Sequence, residues 1–267
     1  MKNIEKIVSN ILLWYFKHKR DLPWRKTHDP YRILVSEVML QQTQVDRVIS
    51  KYQQFLRLFP TVQQLAQAPA REVLKAWQGL GYNRRALYLW QSAKDVVVNH
   101  GGRFPRRKEE FLKLPGVGEY TARALLSFAF RQPVLMLDTN HRRFYRQLLF
   151  HDKLVDDRTV LEKAENIFLP LLRGRVYHWN QAIMDWMLAQ PRDRKRTRKK
   201  TEKISFRQTD RYFRGRMIEY LRVRDSLSFR KMQSMFPEVS LARRKKIVTG
   251  LVKHGLIQVT KSGIVNI

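Results

Sequence analysis

Cysteine is absent from the 267 residues of this sequence. Without a thiol the chain can form no disulfide and no thiolate nucleophile, and it cannot ligate zinc or an iron–sulfur cluster through sulfur. Long apolar runs are also missing, because none reaches the roughly 18 residues that a membrane-spanning helix needs. The first ten residues have Glu5 within a short apolar stretch and lack the pattern of a signal peptide. We therefore expect a cytoplasmic protein with no cofactor and no membrane contact.

Acidic residues are few. The chain has 23 Asp and Glu against 53 Lys and Arg, a formal net charge of +30. This excess is more than solubility needs and predicts a polyanionic partner, with nucleic acid as the first candidate and a membrane surface as the rival. Hydrophobic residues make up 43% of the chain, which is enough for a buried core. His28, His141 and His178 are scattered, which is more typical of packing or phosphate contacts than of a metal site, so we expect no metal.

Residues 1–190 have the pattern of a mainly α domain. Apolar residues recur there at three- and four-residue spacing, as on one face of a helix. The segments with this spacing are 4–16, 31–59, 86–98, 111–130 and 161–172. Pro30, Pro60 and Pro133 lie between segments, where a fixed φ and a missing N–H start or stop a helix.

The remaining chain predicts a linker and a second domain. Residues 191–205 are rich in basic residues and lack apolar periodicity, which favours a linker. Residues 206–267 predict a small winged-helix-like domain, with helices followed by a hairpin that has Gly263 in its turn. The expected elements are helices at 209–223, 230–236 and 240–253 and strands at 227–229, 256–260 and 264–267. Arg243 and Arg244 suit contact with DNA phosphates, although winged helices also serve as protein–protein adaptors.

The segment Leu114-Pro-Gly-Val-Gly118 predicts a hairpin between two helices. Its two glycines leave the backbone N–H groups of Gly116, Val117 and Gly118 open to a phosphate at a helix N-terminus. A plain interhelical turn needs only one glycine, so the doubled glycine favours contact with a nucleic-acid backbone. Such binding carries no sequence information and implies no reaction by itself.

Glu37 lies in the apolar segment Leu34-Val-Ser-Glu-Val-Met-Leu40. If this segment is helical, the carboxyl group has apolar neighbours, which should raise its pKa. A purine anion is a poor leaving group, so its departure from a sugar needs a general acid that delivers a proton, for example to N7. The ordinary alternative is a surface glutamate with a polar partner.

Asp138 ends an apolar run and precedes a predicted helix, so it is a natural N-cap. An ionised carboxylate at that place could also stabilise an oxocarbenium-like sugar, as the second carboxylate of glycosidases does. The two roles are compatible.

Together these motifs resemble the helix–hairpin–helix DNA glycosylase superfamily and, within it, the adenine DNA glycosylase branch. The resemblance covers roughly residues 10–190. It rests on six blocks in family order, which are Leu22–Arg25, Ser36–Val45, Trp77–Tyr82, Leu114–Gly118, Asp138–Asn140 and Asn180–Ala182.

The resemblance implies a two-lobed helical glycosylase domain with Glu37 as general acid and Asp138 as the group that stabilises the cation. Tyr120 and Asn140 would support this pair. It also implies that Tyr82 wedges into the base stack while the target base is flipped out. The residues it places along the path of the base or on the DNA are Trp24, Arg25, Leu40, Gln41, Gln42, Thr43, Gln181 and the three hairpin residues.

Relatives that also cleave the strand have a lysine where this chain has Tyr120, and that lysine forms a Schiff base with the sugar. We therefore predict hydrolysis to an abasic site without efficient strand cleavage. The chain departs from the resemblance in two places: it has no cysteines for the iron–sulfur cluster of most members, and a winged-helix-like tail replaces the usual hydrolase-like reader of 8-oxoguanine. The basic run 192–200 stands where the cluster loop would be.

The expected function is thus monofunctional excision of mispaired adenine, opposite 8-oxoguanine or guanine, by a monomer acting on double-stranded DNA in the nucleoid. Two alternatives stay open. One is excision of a different mismatched base, such as thymine opposite guanine. The other is a non-catalytic, regulatory DNA-binding protein.

Overall fold

The computed structural model describes residues 2–191, 205–260 and 265–267. Regular structure in these ranges is almost entirely helical, so the prediction of a mainly α fold is confirmed. In chain order the elements are α1 (Lys2–His18), α2 (Pro30–Leu40), α3 (Val45–Leu58), α4 (Val62–Gln67), α5 (Ala70–Ala76), α6 (Arg84–His100), α7 (Lys108–Phe111), α8 (Glu119–Phe128), α9 (Thr139–Phe150), α10 (Asp157–Leu172), α11 (Val176–Ala189), α12 (Asp210–Val223), α13 (Phe229–Met235), α14 (Leu241–Lys253), β1 (Gln258–Val259) and β2 (Val265–Asn266). Short 3₁₀ turns occur at Pro23–Arg25 and Phe206–Gln208.

Local sequence explains where many helices begin. Pro30 is the first residue of α2, where its missing N–H costs nothing. Thr61 and Gln64 form a reciprocal capping box at the start of α4. Other helices start at a side chain that accepts the backbone N–H three residues later. These N-caps are Asp138, Asp156, Thr209, Ser228 and Ser240.

The apolar segment 31–59 is divided into α2 and α3, and the segment 111–130 begins at the last residue of α7 and is helical again only in α8. Gln42 has a φ of 56° between α2 and α3, and Gly116 has a φ of 76° between α7 and α8. A residue in the left-handed region cannot continue a right-handed helix, so apolar periodicity alone overestimates these elements. The two breaks create the loops in which several predicted functional residues lie.

The described residues form two compact units. One contains residues 2–37 and 104–191, and the other contains residues 38–103, 205–260 and 265–267. The boundary falls inside α2, directly after Glu37. The domain limits expected from the sequence, 1–190 and 206–267 joined by a linker, stay a prediction.

The core of the first unit lies among α1, α9, α10 and α11. Phe168 and Trp179 stack with ring centroids 5.2 Å apart, and Trp179 Nε1 donates a hydrogen bond to the Tyr145 hydroxyl at 3.0 Å. All three side chains are completely buried. Burial of a side chain such as Phe168 contributes about 1.5–3 kcal/mol. This aromatic cluster therefore fixes α9, which carries Asp138 at its N-terminus, against α10 and α11.

The second unit packs α4 and α5 against α6, with Trp77 and Phe55 in perpendicular contact at its centre. Helix α12 packs on α5 in the same unit. Arg222 Nη2 donates to Asn83 Oδ1 at 2.9 Å, and Arg71 forms an ion pair with Asp225. The described part of the C-terminal segment thus shares a unit with residues 38–103.

The C-terminal elements occur near their predicted positions. Helices α12, α13 and α14 match the expected helices within one residue at each end, and β1 pairs antiparallel with β2 through Gln258 with Asn266 and Val259 with Val265. The expected strand at 227–229 is reduced to a single bridge from Leu227 to Val265, because α13 begins at Phe229. The turn at 261–263 and the basic run 192–200 lie outside the described residues, and the winged-helix-like class stays a prediction.

In the ranges that the structure describes, no helix is long and apolar enough to cross a bilayer.

Candidate active site

The predicted hairpin links α7 to α8 in the first unit. Val117 is buried, and its N–H donates to the Leu114 carbonyl at 3.1 Å, which closes the turn. Gly116 and Gly118 are exposed, and a Cβ added at Gly118 would meet no atom within 4 Å. Gly118 is also the N-cap residue of α8 and offers no side chain to the first turn. The Val117 N–H is thus occupied within the turn and, contrary to expectation, is not open to a phosphate. The exposed backbone at the N-terminus of α8 is that of Gly116 and Gly118, and its contact with DNA stays a prediction.

Glu37 is the last residue of α2 that belongs to the first unit, and 6% of its surface is exposed. Burial raises the pKa of the Glu37 carboxyl from 4.5 to about 7, although a hydrogen bond from the Tyr120 hydroxyl acts in the opposite direction. The negative charge of Asp138 raises this pKa further, and the positive charge of Arg25 lowers it. Near neutral pH a large fraction of Glu37 is therefore protonated and able to donate a proton.

Tyr120, in the first turn of α8, is a neutral donor. Burial raises the pKa of its hydroxyl well above 10, and the charges of Glu37 and Asp138 raise it further. The phenol thus keeps its proton across the physiological range and shares it with the Glu37 carboxylate.

Asp138 is the N-cap of α9, as the sequence predicts. Its Oδ1 accepts the backbone N–H of His141 at 2.8 Å and lies 2.6 Å from Nδ1 of the same residue. Asn140 Nδ2 approaches the other oxygen, Oδ2, at 3.5 Å. Burial alone would raise the pKa of Asp138, but the hydrogen bonds and charge of His141 outweigh it and hold this pKa below its ordinary value. Asp138 is therefore ionised near neutral pH.

These contacts place an acid and an anion in one electrostatically coupled group. Glu37 keeps a proton because it is buried, and Asp138 loses one because it is capped. Two carboxyl groups with opposite protonation states are what cleavage of a glycosidic bond requires, since one protonates the leaving group and the other stabilises the sugar cation.

Asn180 supports this group from α11, a role that the sequence analysis did not assign. Its completely buried side chain accepts the N–H of Met136 at 3.1 Å and donates to Ser127 Oγ at 2.8 Å and to the Val134 carbonyl at 2.9 Å. It therefore anchors the extended segment that leads into Asp138. An asparagine at helical spacing from the apolar residues of α11 was a usable signal, because a fully buried amide needs several partners.

Three residues expected at the DNA lie inside the first unit. Arg25 forms a bidentate ion pair with the buried Asp185, at 2.6 and 2.9 Å. Gln181 is buried and accepts the Tyr15 hydroxyl at 2.7 Å. Trp24 is also buried. The described partners of Arg25 and Gln181 are internal to the protein, and the DNA contacts of all three residues stay a prediction.

The second unit contains the other expected DNA residues. Gln41, Gln42 and Thr43 form the loop after α2, where Leu40 is half-buried. Tyr82 has a φ of 46° and is 41% exposed, and the Arg211 guanidinium lies 4.1 Å from the centre of its ring. A bulky residue in the left-handed region is strained by about 1–3 kcal/mol, and such strain clusters at functional sites.

Arg85 organises both of these segments, and the sequence analysis missed it. It is 8% exposed, and its guanidinium donates to the carbonyls of Val38, Met39, Gln41 and Leu80 and to Thr43 Oγ1, over distances of 2.5–3.1 Å. Burial lowers its pKa to about 10. One buried cation thus fixes the loop after α2 and the turn before Tyr82. An arginine near the start of an amphipathic helix gives no sign of this in the sequence.

On α14, Arg243 contacts Asp210 Oδ1 at 2.8 Å and the Gln208 carbonyl at 2.6 Å, and Arg244 is buried. Their contact with DNA stays a prediction. Among the described residues, no group of three or more His, Asp or Glu side chains is arranged to hold a metal ion.

Comparison with known proteins agrees with this geometry. Residues 35–170, slightly more than half of the chain, match the family described as the HhH-GPD superfamily base excision DNA repair protein. Curated relatives include adenine DNA glycosylases of Mycobacterium tuberculosis (46% identical over 136 residues, 51% of this chain and 45% of the relative), Buchnera aphidicola (37% over 184 residues, 66% and 50%) and Homo sapiens (45% over 144 residues, 51% and 26%). The chain spans about half the length of these bacterial relatives.

Solved structures share the fold. A thermostable thymine-DNA glycosylase is 31% identical with a TM-score of 0.66, over 73% of this chain and 90% of that one. A trapped endonuclease III–DNA covalent intermediate is 22% identical with a TM-score of 0.59, over 68% and 84% of the two chains, which shows the fold alone. The predicted helix–hairpin–helix glycosylase fold is thus confirmed, and the chain belongs to the HhH-GPD superfamily of base excision DNA repair proteins.

Proposed function

We propose that the protein is a monofunctional DNA glycosylase that hydrolyses the N-glycosidic bond of mispaired adenine in duplex DNA and leaves an abasic site. The observation that carries this proposal is the coupled pair of a buried Glu37, whose pKa is raised to about 7, and a capped, ionised Asp138. Neither a DNA-binding scaffold nor a regulator has a use for carboxyl groups held in opposite protonation states.

The reaction follows from these two groups. Glu37 gives its proton to N7 of the adenine, so that the C1′–N9 bond breaks with its electron pair on a neutral base. The negative charge of Asp138 stabilises the cationic sugar that forms. The Glu37 carboxylate then takes a proton from water as the water oxygen bonds to C1′. Free adenine and an abasic site result, and Glu37 is protonated again.

Tyr120 supports the monofunctional part of the proposal. A phenol has no amine with which to form a Schiff base, so the sugar is released by water and the strand stays intact.

The chain has no cysteine for a cluster, and hydrolysis by Glu37 and Asp138 needs neither metal nor cofactor. We extend the proposal to a monomer acting on nucleoid DNA, which the charge of +30 would favour.

The identity of the base rests on two supports. Proton delivery to N7 exploits a purine, and several curated relatives are adenine DNA glycosylases. The second candidate is thymine opposite guanine, favoured by the thymine-DNA glycosylase structure that matches this chain over 90% of its own length. Recognition of 8-oxoguanine or guanine as the opposite base is part of the same proposal.

The test is single-turnover base release from duplexes with adenine opposite 8-oxoguanine, guanine or thymine, and with thymine opposite guanine. The wild type should release adenine, and Glu37→Gln should slow release roughly 10²–10⁴-fold. Glu5→Gln, an exposed glutamate on α1, is the matched control and should not change the rate. Preferential release of thymine would transfer the assignment to the second candidate. Tight binding without release of any base would overturn the catalytic assignment.

A further inference from the structure

His141 is a completely buried histidine beside the site. It lies in the first turn of α9, and both its backbone N–H and its ring Nδ1 meet the same oxygen of Asp138, at 2.8 and 2.6 Å. Since that carboxylate is ionised, the ring nitrogen is the donor. One oxygen of Asp138 therefore receives two hydrogen bonds from a single residue.

Helix capping does not require this ring. The backbone N–H of His141 alone completes the N-cap, whatever side chain stands there. Burial of an imidazole is costly when its nitrogens lack partners, and Nε2 of His141 has none among the described residues. The bond from Nδ1 to Asp138 is the polar contact that offsets this cost.

Apart from His141, Asn140 also favours the negative charge of Asp138, through a backbone hydrogen bond and through Nδ2 at 3.5 Å from Oδ2. Glu37 on α2 is a second carboxyl group, and Tyr120 on α8 and Tyr145 on α9 are neutral phenols. Arg142 interacts electrostatically with Asp138, but its guanidinium is paired with Asp157 at 2.5 and 2.6 Å. Among the groups that lower the Asp138 pKa, the side-chain donor on His141 thus contributes most.

We infer that His141 is a positioning residue that keeps Asp138 ionised and in one orientation, with Oδ1 held by His141 and with Oδ2, which Asn140 Nδ2 approaches at 3.5 Å, serving the cationic sugar. The inference rests on the proposed function, because the sugar cation is part of that reaction.

The experiment compares the pH profiles of single-turnover base release for wild type, His141→Leu and His141→Asn. Leucine fills a similar volume and keeps the backbone cap but has no side-chain donor, whereas the asparagine amide can replace Nδ1–H. Loss of the donor makes Asp138 easier to protonate. We expect the leucine variant to lose roughly tenfold in rate at pH 5 and less at pH 8, and the asparagine variant to recover most of that loss.

A purely structural role would lower the rate equally at all pH values and would not be rescued by asparagine, and that result would overturn the inference. So would a leucine variant with the wild-type profile. If leucine prevents folding, the asparagine variant and a second readout still decide. In ¹⁵N-histidine NMR the His141 ring should be protonated at Nδ1 in the wild type and change its signal in Asp138→Asn.

An unchanged NMR signal in Asp138→Asn would contradict the contact itself. This readout needs no DNA and no activity, so it tests the inference separately from the proposed function. Failure of the proposed function would instead be seen as a wild-type protein that releases no base from any duplex.

Discussion

Replacement of the buried Glu37 by glutamine should stabilise the protein at alkaline pH while it slows base release. The pKa of Glu37 is about 7 in the folded protein and 4.5 in the unfolded chain. Between pH 4.5 and pH 7 the folded state therefore binds more protons than the unfolded state. Its stability therefore falls as the pH rises through this window. Once Glu37 is fully ionised, near pH 8, the cost is roughly 3 kcal/mol. Because Glu37 is almost fully buried, solvent screening reduces this cost little.

Glutamine carries no charge at any pH and its amide oxygen can still accept the Tyr120 hydroxyl. The two proteins should thus unfold at similar temperatures near pH 4.5, and the glutamine variant should gain as the pH rises. For a domain of this size the gain at pH 8 is roughly 6–12 °C in Tm. The assay is thermal unfolding at half-unit pH intervals without DNA.

The exposed Glu5→Gln variant is the control and should unfold at the wild-type temperature throughout the series. The difference in Tm between Glu37→Gln and wild type should be larger at pH 8 than at pH 5. An equal difference at the two pH values would refute a raised pKa of the Glu37 carboxyl group.

Three other predictions concern the neighbours of Glu37 and the loops of the second unit. Tyr120→Phe removes a hydrogen bond that lowers the Glu37 pKa, so the alkaline limb of the rate profile should move to higher pH; an unmoved limb would contradict that bond. Tyr120→Lys should give a covalent DNA adduct on borohydride reduction, which the wild type should not form. Arg85→Met leaves several backbone carbonyls without a donor and should cost about 2–4 kcal/mol in urea unfolding, whereas the exposed neighbour Arg84→Met should cost under about 0.5 kcal/mol. Equal losses in the two arginine variants would count against the role of Arg85.

The helices and the two carboxyl groups could be predicted from the sequence because their signals are local. Proline positions and apolar spacing determine where α2 begins, and Asp138 directly precedes an amphipathic segment. Glu37 stood out because its sequence neighbours are apolar, and burial does raise its pKa. Each of these inferences depends on residues within one turn of each other.

The missed features depend on contacts between distant segments. Arg85 donates to carbonyls more than 40 residues earlier, and Asn180 holds a segment 44 residues before it. His141 was interpreted with two other histidines as packing or phosphate contact, because the sequence does not show that its ring turns back onto Asp138. Gln181 was expected at the DNA, and only the fold shows its bond to Tyr15, 166 residues away.

The most direct measurement of the proposed chemistry is the pH dependence of adenine release by the wild type, with enzyme below saturation so that the profile reports the free protein. If Glu37 delivers the proton, the rate constant should be highest below pH 7 and fall about tenfold for each unit above it, following the Glu37 pKa of about 7. A rate constant that stays level or rises from pH 7 to pH 9 would contradict Glu37 as the general acid.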